Sequence, residues 1–436
     1  MLSIILFTSF AVFLLIGTPI AICLGMSSIF TIIADAGTRP LDTVMSVVPM
    51  LVSSSSSKFV LLAIPFFILS GNIMEKAGIS EKLIRLAEVC VGHITGGLAI
   101  ICVVVACFFA AISGSGPATV AALGMIIIPA MVFAGYNSAF SSALMAAASA
   151  IGVIIPPSIT FVIFGSITDT SIGSLFIAGL LPGIIMGAGL LVVALWKGRK
   201  MKLEVMNKAT SRERWLAFKD AIWGLMMPVI ILGGIYGGIF TPTESAAVAV
   251  VYGLFVGVFI YKKIHFKEFC HLLIDSASTT AVVMFITAAA TIFAYVLTRA
   301  KLNITIGDAI YNFTGDSTIL FLILVNIVFL IAGCFLDSTS ALYIFVPLFM
   351  PVALNLGIDP IHFGVVIIVN LAIGLFTPPV GMNLYVACGL GKVSLKELSM
   401  AIIPFVIVSL LITLNFYLLI FFFFFFNDTA TTEIYT

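Results

Sequence analysis

The stretch Gly152-Val153-Ile154-Ile155-Pro156-Pro157-Ser158 recurs in outline as Gly374-Leu375-Phe376-Thr377-Pro378-Pro379, 222 residues further along the chain. The same shift places Pro129 on Pro351, Pro182 on Pro404 and Gly135 on Gly357. With one residue of slack, Thr18-Pro19 falls opposite Thr241-Pro242. Proline and glycine set backbone shape, so a repeat in them is a repeat in architecture. Two consecutive prolines remove two amide donors and unwind any helix they enter, which frees the carbonyls before them. One kinked helix is ordinary packing; matched Pro-Pro breaks in two halves point to duplication.

The sequence around these breaks belongs in a bilayer. Hydrophobic residues make up 62% of the chain and charged residues 9%, with a mean hydropathy of +1.28. A soluble domain carries about a quarter charged residues. No Asp, Glu, Lys or Arg occurs from Ile94 to Thr168, and a spanning helix needs about 20 apolar residues. A net charge of +1 argues against a nucleic-acid surface. No cleavable leader is expected, because the first residues lack a basic start and run into further apolar sequence. No ATP-binding loop motif is present, so energy is expected from an ion gradient. The seven cysteines show no CxxC spacing and read as small packing residues. The four histidines form no metal-like pair.

Polar breaks divide the chain into a first transmembrane repeat over 1–196, a basic linker over 197–220, a second repeat over 221–415 and an atypical tail over 416–436. Residues 3–34 hold two spans separated at Gly17-Thr18-Pro19, followed by a loop with Asp35, Arg39, Asp42 and the Ser53–Ser57 run. A helix over 59–75 ends at Glu75-Lys76, and Ser80 to Glu88 reads as an amphipathic helix. The uncharged block breaks twice, at Ser113–Pro117 and at Pro156-Pro157, before a last span near 175–196. The excess of Lys and Arg from Lys197 to Lys219, with Lys262, Lys263 and Lys267, is expected in the cytoplasm. Inverted repeats put the N-terminus outside and parallel repeats put it inside; the interrupted helices favour inversion. Glu244 reads as structural, and Arg299 and Lys301 as reaching for the interface. The tail, with Phe421–Phe426 and the polar run after it, reads either as a helix end or as a sequence artefact.

The chemistry is expected where helices break. Ser113-Gly114-Ser115-Gly116-Pro117-Ala118-Thr119 lies within the uncharged block. Unpaired backbone at membrane depth is tolerated only where it is buried in protein or lines a cavity. Shifted by 222, Ser115 falls on Asp337, the start of Asp337-Ser338-Thr339-Ser340 and the single charge between Ser317 and Ile358. An ionisable group in such a run marks function by default; its bland role is a helix N-cap. Hydroxyls and freed carbonyls suit a hard cation, and half-helix N-termini suit an anionic group. Candidate solute- and cation-binding residues are Ser113, Gly114, Ser115, Gly116, Thr119, Gly152, Pro156, Pro157, Ser158, Asp337, Ser338, Thr339, Ser340, Gly374, Thr377, Pro378 and Pro379. Na⁺ is expected as the coupling ion at Ser113, Ser115, Asp337, Thr377 and neighbouring carbonyls, with no covalent cofactor.

These motifs resemble a known family. Ala63-Ile64-Pro65-Phe66-Phe67-Ile68-Leu69-Ser70-Gly71, Ala111 to Thr119 and Ile155 to Ser158 carry the resemblance in the first half. Phe240-Thr241-Pro242-Thr243-Glu244 with Ala246-Ala247, and Asn370-Leu371 through Gly381, carry it in the second. From about residue 5 to about residue 410 the chain is similar to the large membrane (M) subunit of tripartite ATP-independent periplasmic (TRAP) transporters. The resemblance implies an all-α polytopic fold: an inverted-repeat, elevator-type transporter with two re-entrant hairpins and two broken helices. It further implies Na⁺-coupled import of a carboxylate-bearing solute across the bacterial inner membrane. Its partners would be a small membrane subunit (Q) and a periplasmic solute-binding protein (P).

Two other classes fit parts of the sequence. One is a free-standing ion-coupled anion symporter without a binding protein. The other is an intramembrane serine hydrolase using Ser113 or Ser115. The hydrolase lacks the full nucleophile elbow and would need His93 or His362 as its base.

Overall fold

The computed structural model describes residues 2–201 and 207–432; Lys202 and Glu204 of the basic linker, and residues 433–436 of the tail, lie outside them. Helices α1 (Leu2–Leu15) and α2 (Ile20–Asp35) form a hairpin turned at Gly17-Thr18-Pro19. The Thr18 hydroxyl donates to the Phe13 carbonyl at 2.8 Å, closing α1 before Pro19 starts the next helix. The segment expected as loop is instead mostly α3 (Leu41–Met45) and α4 (Val47–Ser56). The serine run ends a helix because its hydroxyls bond backward: Ser55 donates to Val52 and Ser57 to Ser53, at 3.0 and 2.8 Å. Such back-bonding satisfies carbonyls that the helix end leaves open.

Helix α5 (Ala63–Lys76) leads through a left-handed Gly78 into α6 (Ile79–Val91). The latter is the expected amphipathic helix: Ile79, Leu83, Ile84 and Ala87 are buried on one face while Glu81 and Arg85 face out. The uncharged block folds as α7 (Gly97–Ser113), α8 (Gly116–Phe133), α9 (Ser138–Ala150) and α10 (Ile159–Thr168), followed by α11 (Ile172–Lys200). It breaks three times rather than twice. The extra break follows Phe133, where Gly135 has φ +91° and Asn137 caps α9 by accepting the Ala139 and Phe140 amides. A lone Gly-Tyr-Asn in apolar sequence gave little sign of it.

The second half continues with α12 (Ser211–Tyr236), α13 (Pro242–Phe255), α14 (Phe266–Arg299) and α15 (Leu302–Thr314). Then come α16 (Thr318–Phe335), α17 (Ser338–Asn355), α18 (Pro360–Gly374), α19 (Met382–Gly391) and α20 (Leu395–Thr432). Among the described residues nine helices are long and apolar enough to cross a membrane. Helix bounds repeat as the prolines do. The end of α7 at Ser113, the start of α8 at Gly116 and the start of α9 at Ser138 lie 222 residues before the matching bounds at Phe335, Ser338 and Pro360.

Two charges left open by the sequence have local partners. Glu244 completes a capping box, accepting the Thr241 amide at 2.8 Å while its own amide bonds the Thr241 hydroxyl. Arg299 does not reach for the interface alone: its Nε lies 2.6 Å from Asp35, which Arg39 also contacts at 3.1 Å. Among the cysteines, Cys23, Cys102 and Cys334 are buried and Cys90 is exposed.

Helix α14 packs against α2, α4, α5 and α17. Helix α13 lies on α5, and α12 on α6. In the rest of the molecule the matched elements pair crosswise: α10 packs on α17, and α19 packs on α8 and α9. Rings of Phe321, Phe329, Phe349 and Phe363 fill the space among α16, α17 and α18, with centroids 5.8–6.2 Å apart.

Helices α16 and α18 approach closely where Gly333 and Gly374 meet backbone to backbone. A Cβ on Gly374 would stand 2.6 Å from the Cα of Gly333, so the helices would have to part. Gly374→Ala is therefore expected to cost about 1–3 kcal/mol. Gly389→Ala, whose Cβ would meet nothing within 4 Å, should cause no loss. Thermal unfolding in detergent checks both; equal melting temperatures for the two variants would refute the close contact.

Candidate functional site

The first hairpin tip is shaped by backbone demands. Helix α7 ends at Ser113, Gly114 turns with φ +63°, Ser115 is extended, and α8 starts at Gly116 with Pro117 in its first turn. Glycine takes that φ without strain, and a Cβ on Gly114 would lie 3.0 Å from the Pro157 carbonyl oxygen. The tip thus rests on the first Pro-Pro break. Buried Thr119 donates its hydroxyl to the Ser115 carbonyl at 2.8 Å and closes the turn from behind.

The second tip uses a side chain where the first uses backbone. After α16 ends at Phe335, Leu336 and Asp337 are extended and α17 starts at Ser338. Asp337 is the N-cap: its Oδ2 accepts the Ser340 amide at 3.0 Å and its Oδ1 accepts the Ser340 hydroxyl at 2.5 Å. The capping role holds, and the same carboxylate also faces a cavity.

Both Pro-Pro bonds are cis. The Ser158 hydroxyl donates to the Val153 carbonyl at 2.6 Å across the first break, and the Thr377 hydroxyl to the Ile373 carbonyl at 2.7 Å before the second. The Gly381 amide reaches the Cys334 carbonyl at 2.9 Å, tying the second break to its own hairpin.

These four interruptions surround one cavity of about 300 Å³. Ser113 to Ala118 line it from the first tip and Asp337, Ser338 and Thr339 from the second. Val153, Ile159 and Thr160 come from the first break, and Leu375 and Met382 from the second. Of the residues expected to hold Na⁺, Ser113, Ser115 and Asp337 are on the wall and Thr377 is not. Thr119, Gly152, Pro156, Pro157, Ser158, Ser340, Gly374, Pro378 and Pro379 are likewise not among the residues that line it.

Helices α8, α10, α17 and α19 all contribute their first residues to the wall. Each helix start carries roughly half a positive charge from its unpaired amides. Against them stand two carboxylates, Asp337 and Glu75, while no Lys, Arg or His lines the cavity. A serine nucleophile here would find no histidine base among the lining residues.

Sequence reasoning missed the wall contributed by α5 and α14. Ile68, Gly71, Asn72 and Glu75 line it from α5, and Thr279 and Val283 from α14. Asn72 donates to the Ser276 hydroxyl at 2.8 Å and fastens the two helices together. In the sequence Glu75-Lys76 reads only as the end of a helix over 59–75. Its signal was an ionisable residue four positions after Gly71, closing the motif that begins at Ala63.

The sequence matches the tripartite ATP-independent periplasmic transporter, DctM component, over residues 7–424. The chain belongs to that family. It is 45% identical over 388 residues to the C4-dicarboxylate TRAP transporter large permease protein DctM of Pseudomonas aeruginosa, covering 89% of each chain. It is 39% identical to the protein of the same description from Rhodobacter capsulatus, covering 94% of this chain and 95% of that one. It is 43% identical to the isethionate TRAP transporter permease protein DctMQ of Oleidesulfovibrio alaskensis, covering 94% of this chain but 64% of that longer protein. The crystal structure of the Alcanivorax borkumensis YdaH transporter shares the fold, with a TM-score of 0.60 at 15% identity over 86% of this chain and 87% of that one. As a DctM-family chain with nine apolar helices among the described residues, this is a multi-pass protein of the bacterial inner membrane.

If the two tips share an aqueous cavity, both should be open to a water-soluble thiol reagent. On a background with exposed Cys90 replaced, Ser115→Cys and Thr339→Cys are expected to label readily. Thr119→Cys, at 0% exposure, should not. Mass-shift labelling of the purified protein measures this, and equal labelling at Thr119 would show that the wall is misassigned.

Proposed function

We propose that this chain is the membrane permease of a TRAP transporter that imports a carboxylate-bearing organic solute, driven by Na⁺. The observation that carries the reading is the charge pattern of the shared cavity. It has four helix starts to receive an anion, and two carboxylates with no basic side chain to balance them. A solute anion meeting Asp337 and Glu75 alone would be repelled. Na⁺ held between those carboxylates, the Ser113 carbonyl and the hydroxyls of Ser113 and Ser115 removes the repulsion, since hard cations take oxygen ligands. Cation binding therefore precedes and enables anion binding, which is what coupling requires: each ligand must change the affinity for the other.

Transport would proceed as an elevator. The body containing α7–α10 and α16–α19 carries the cavity, and α1, α2, α5, α6 and α12–α14 form the support against which it slides. The crosswise packing of α10 on α17 and α19 on α8 supports movement as one body. The Asn72–Ser276 hydrogen bond supports α5 and α14 as a single opposing wall. A small membrane subunit and a periplasmic solute-binding protein would complete the assembly. The family description makes this chain one component of a tripartite system. The relative named DctMQ is longer than this chain, which spans 64% of it. The relatives named for C4-dicarboxylates favour a carboxylate; the one named for isethionate makes a sulfonate the competing solute.

The test is uptake into proteoliposomes holding the chain with its small subunit and binding protein, using labelled succinate and isethionate. Uptake is expected with an inward Na⁺ gradient and lost when K⁺ replaces it; equal uptake under a proton gradient alone would overturn the coupling. Asp337→Asn preserves the helix cap, since Asn caps as well as Asp, so it isolates the charge. It should cut uptake roughly tenfold or more, the effect of about 1.4 kcal/mol, and raise the Na⁺ needed for half-maximal rate. Unchanged Na⁺ dependence in Asp337→Asn would leave that residue as a cap and nothing else.

A further inference from the structure

A second cavity, of about 450 Å³, is built on three of the helices that line the first. Helix α14 gives Thr279 and Val283 to the first and Thr287 and Thr291 to the second. Helix α10 gives Thr160 to the first and Ser166 to the second; α17 gives Thr339 and then Tyr343. At 1.5 Å per residue, Thr287 stands about 12 Å beyond Thr279 along α14. Lys262, Lys263 and Lys267 sit at the start of α14, and the bias of basic residues toward the cytoplasm sets the expected side of that end. The second cavity is therefore on the outer side of the first, on the same track.

Its charge is opposite. No carboxylate lines it, and Lys58 is its one charged side chain. The Lys58 ammonium donates to the Ser166 carbonyl at 2.6 Å. Among the described residues it has no acidic partner, since the ion pairs there involve Arg39, Lys263 and Arg299. Two of its three hydrogens remain for a ligand. The Thr287 and Thr291 hydroxyls donate to the carbonyls one turn earlier, each at 2.9 Å; Thr287 is also engaged by the Tyr343 hydroxyl, and Thr291 keeps lone pairs for a ligand. A cation beside a hydroxyl acceptor suits an organic anion that also carries donors, such as a hydroxy acid.

We propose that the Lys58 cavity is an outer vestibule that binds a carboxylate of the incoming solute before it reaches the inner cavity. This rests on the reading of the chain as an organic-anion importer. It adds a site at which attraction needs no Na⁺, placed ahead of the one where it does. The same anionic chemistry could come from a lipid headgroup, and the experiment separates the two.

The chain is reconstituted with its small subunit and binding protein in phosphatidylcholine vesicles. Acetylation of Lys58 by acetic anhydride is followed by peptide mass spectrometry, with exposed Lys262 as the internal reference. Millimolar succinate or gluconate should slow acetylation of Lys58 several-fold and leave Lys262 unchanged, whereas chloride at equal ionic strength should have no effect. Protection should persist when K⁺ replaces Na⁺. Lys58→Met should raise the solute concentration for half-maximal uptake several-fold with little change in maximal rate, and Lys58→Arg should restore it. Protection by phosphatidylglycerol in the bilayer but by neither acid would overturn the proposal in favour of a lipid site. No protection by either acid, or normal half-saturation in Lys58→Met, would also overturn it. Absence of Na⁺-driven uptake by the unaltered protein would instead sink the transport reading, while the protection result would still decide whether Lys58 holds a carboxylate.

Discussion

The bilayer's refusal to hydrogen-bond is the constraint on which this structure depends. Every amide and carbonyl freed by a helix break must find a partner inside the protein or face a cavity that supplies one. Four such breaks, two in each half, meet at the cavity, and local side chains take up several of the groups they free. Hydroxyls of Thr119, Ser158 and Thr377 donate to nearby carbonyls, and Asp337 takes the amide and hydroxyl of Ser340. The segments around these four breaks all contribute to the wall of one small space.

That division explains which residues were legible in the sequence. Gly, Pro, Ser and Asp at the interruptions stand out against an apolar background, so both tips and both Pro-Pro breaks were readable, as were their equivalence and the polytopic fold. Sequence does not distinguish a residue that lines the cavity from one that holds the lining in place. Ser115 and Thr119 look alike in the chain, yet Ser115 faces the cavity and Thr119 is fully buried behind it. The same holds for Thr377, whose hydroxyl is consumed by the Ile373 carbonyl. Orientation of a side chain around a broken helix depends on tertiary contacts that no local pattern records.

Other features were hidden for different reasons. Glu75 and Asn72 lie on a helix without any interruption, and only the packing of α5 against α14 brings them to the cavity. Their role is positional, so no spacing rule within one helix points to it. The break after Phe133 escaped notice because one glycine and one asparagine carry it, without proline. The serine run before Lys58 suggested a loop by composition, although serine hydroxyls can finish a helix as well as break one. In each case the local signal had two physical outcomes, and tertiary structure chose between them.

Crosswise packing gives the molecule the construction of a dimer within one chain. The half-helix after each Pro-Pro break leans on the hairpin of the opposite half, α10 on α17 and α19 on α8. Two separate copies of a half-length ancestor, exchanging those half-helices, would bring the same four helix starts together. In a single chain the two halves need not be identical. Each partner could then change alone, and the equivalent positions Ser115 and Asp337 record the outcome: a hydroxyl on one side of the shared space, a carboxylate on the other. Identical copies would place two carboxylates or none at these two positions; a single chain can place one there, beside the Glu75 carboxylate from α5.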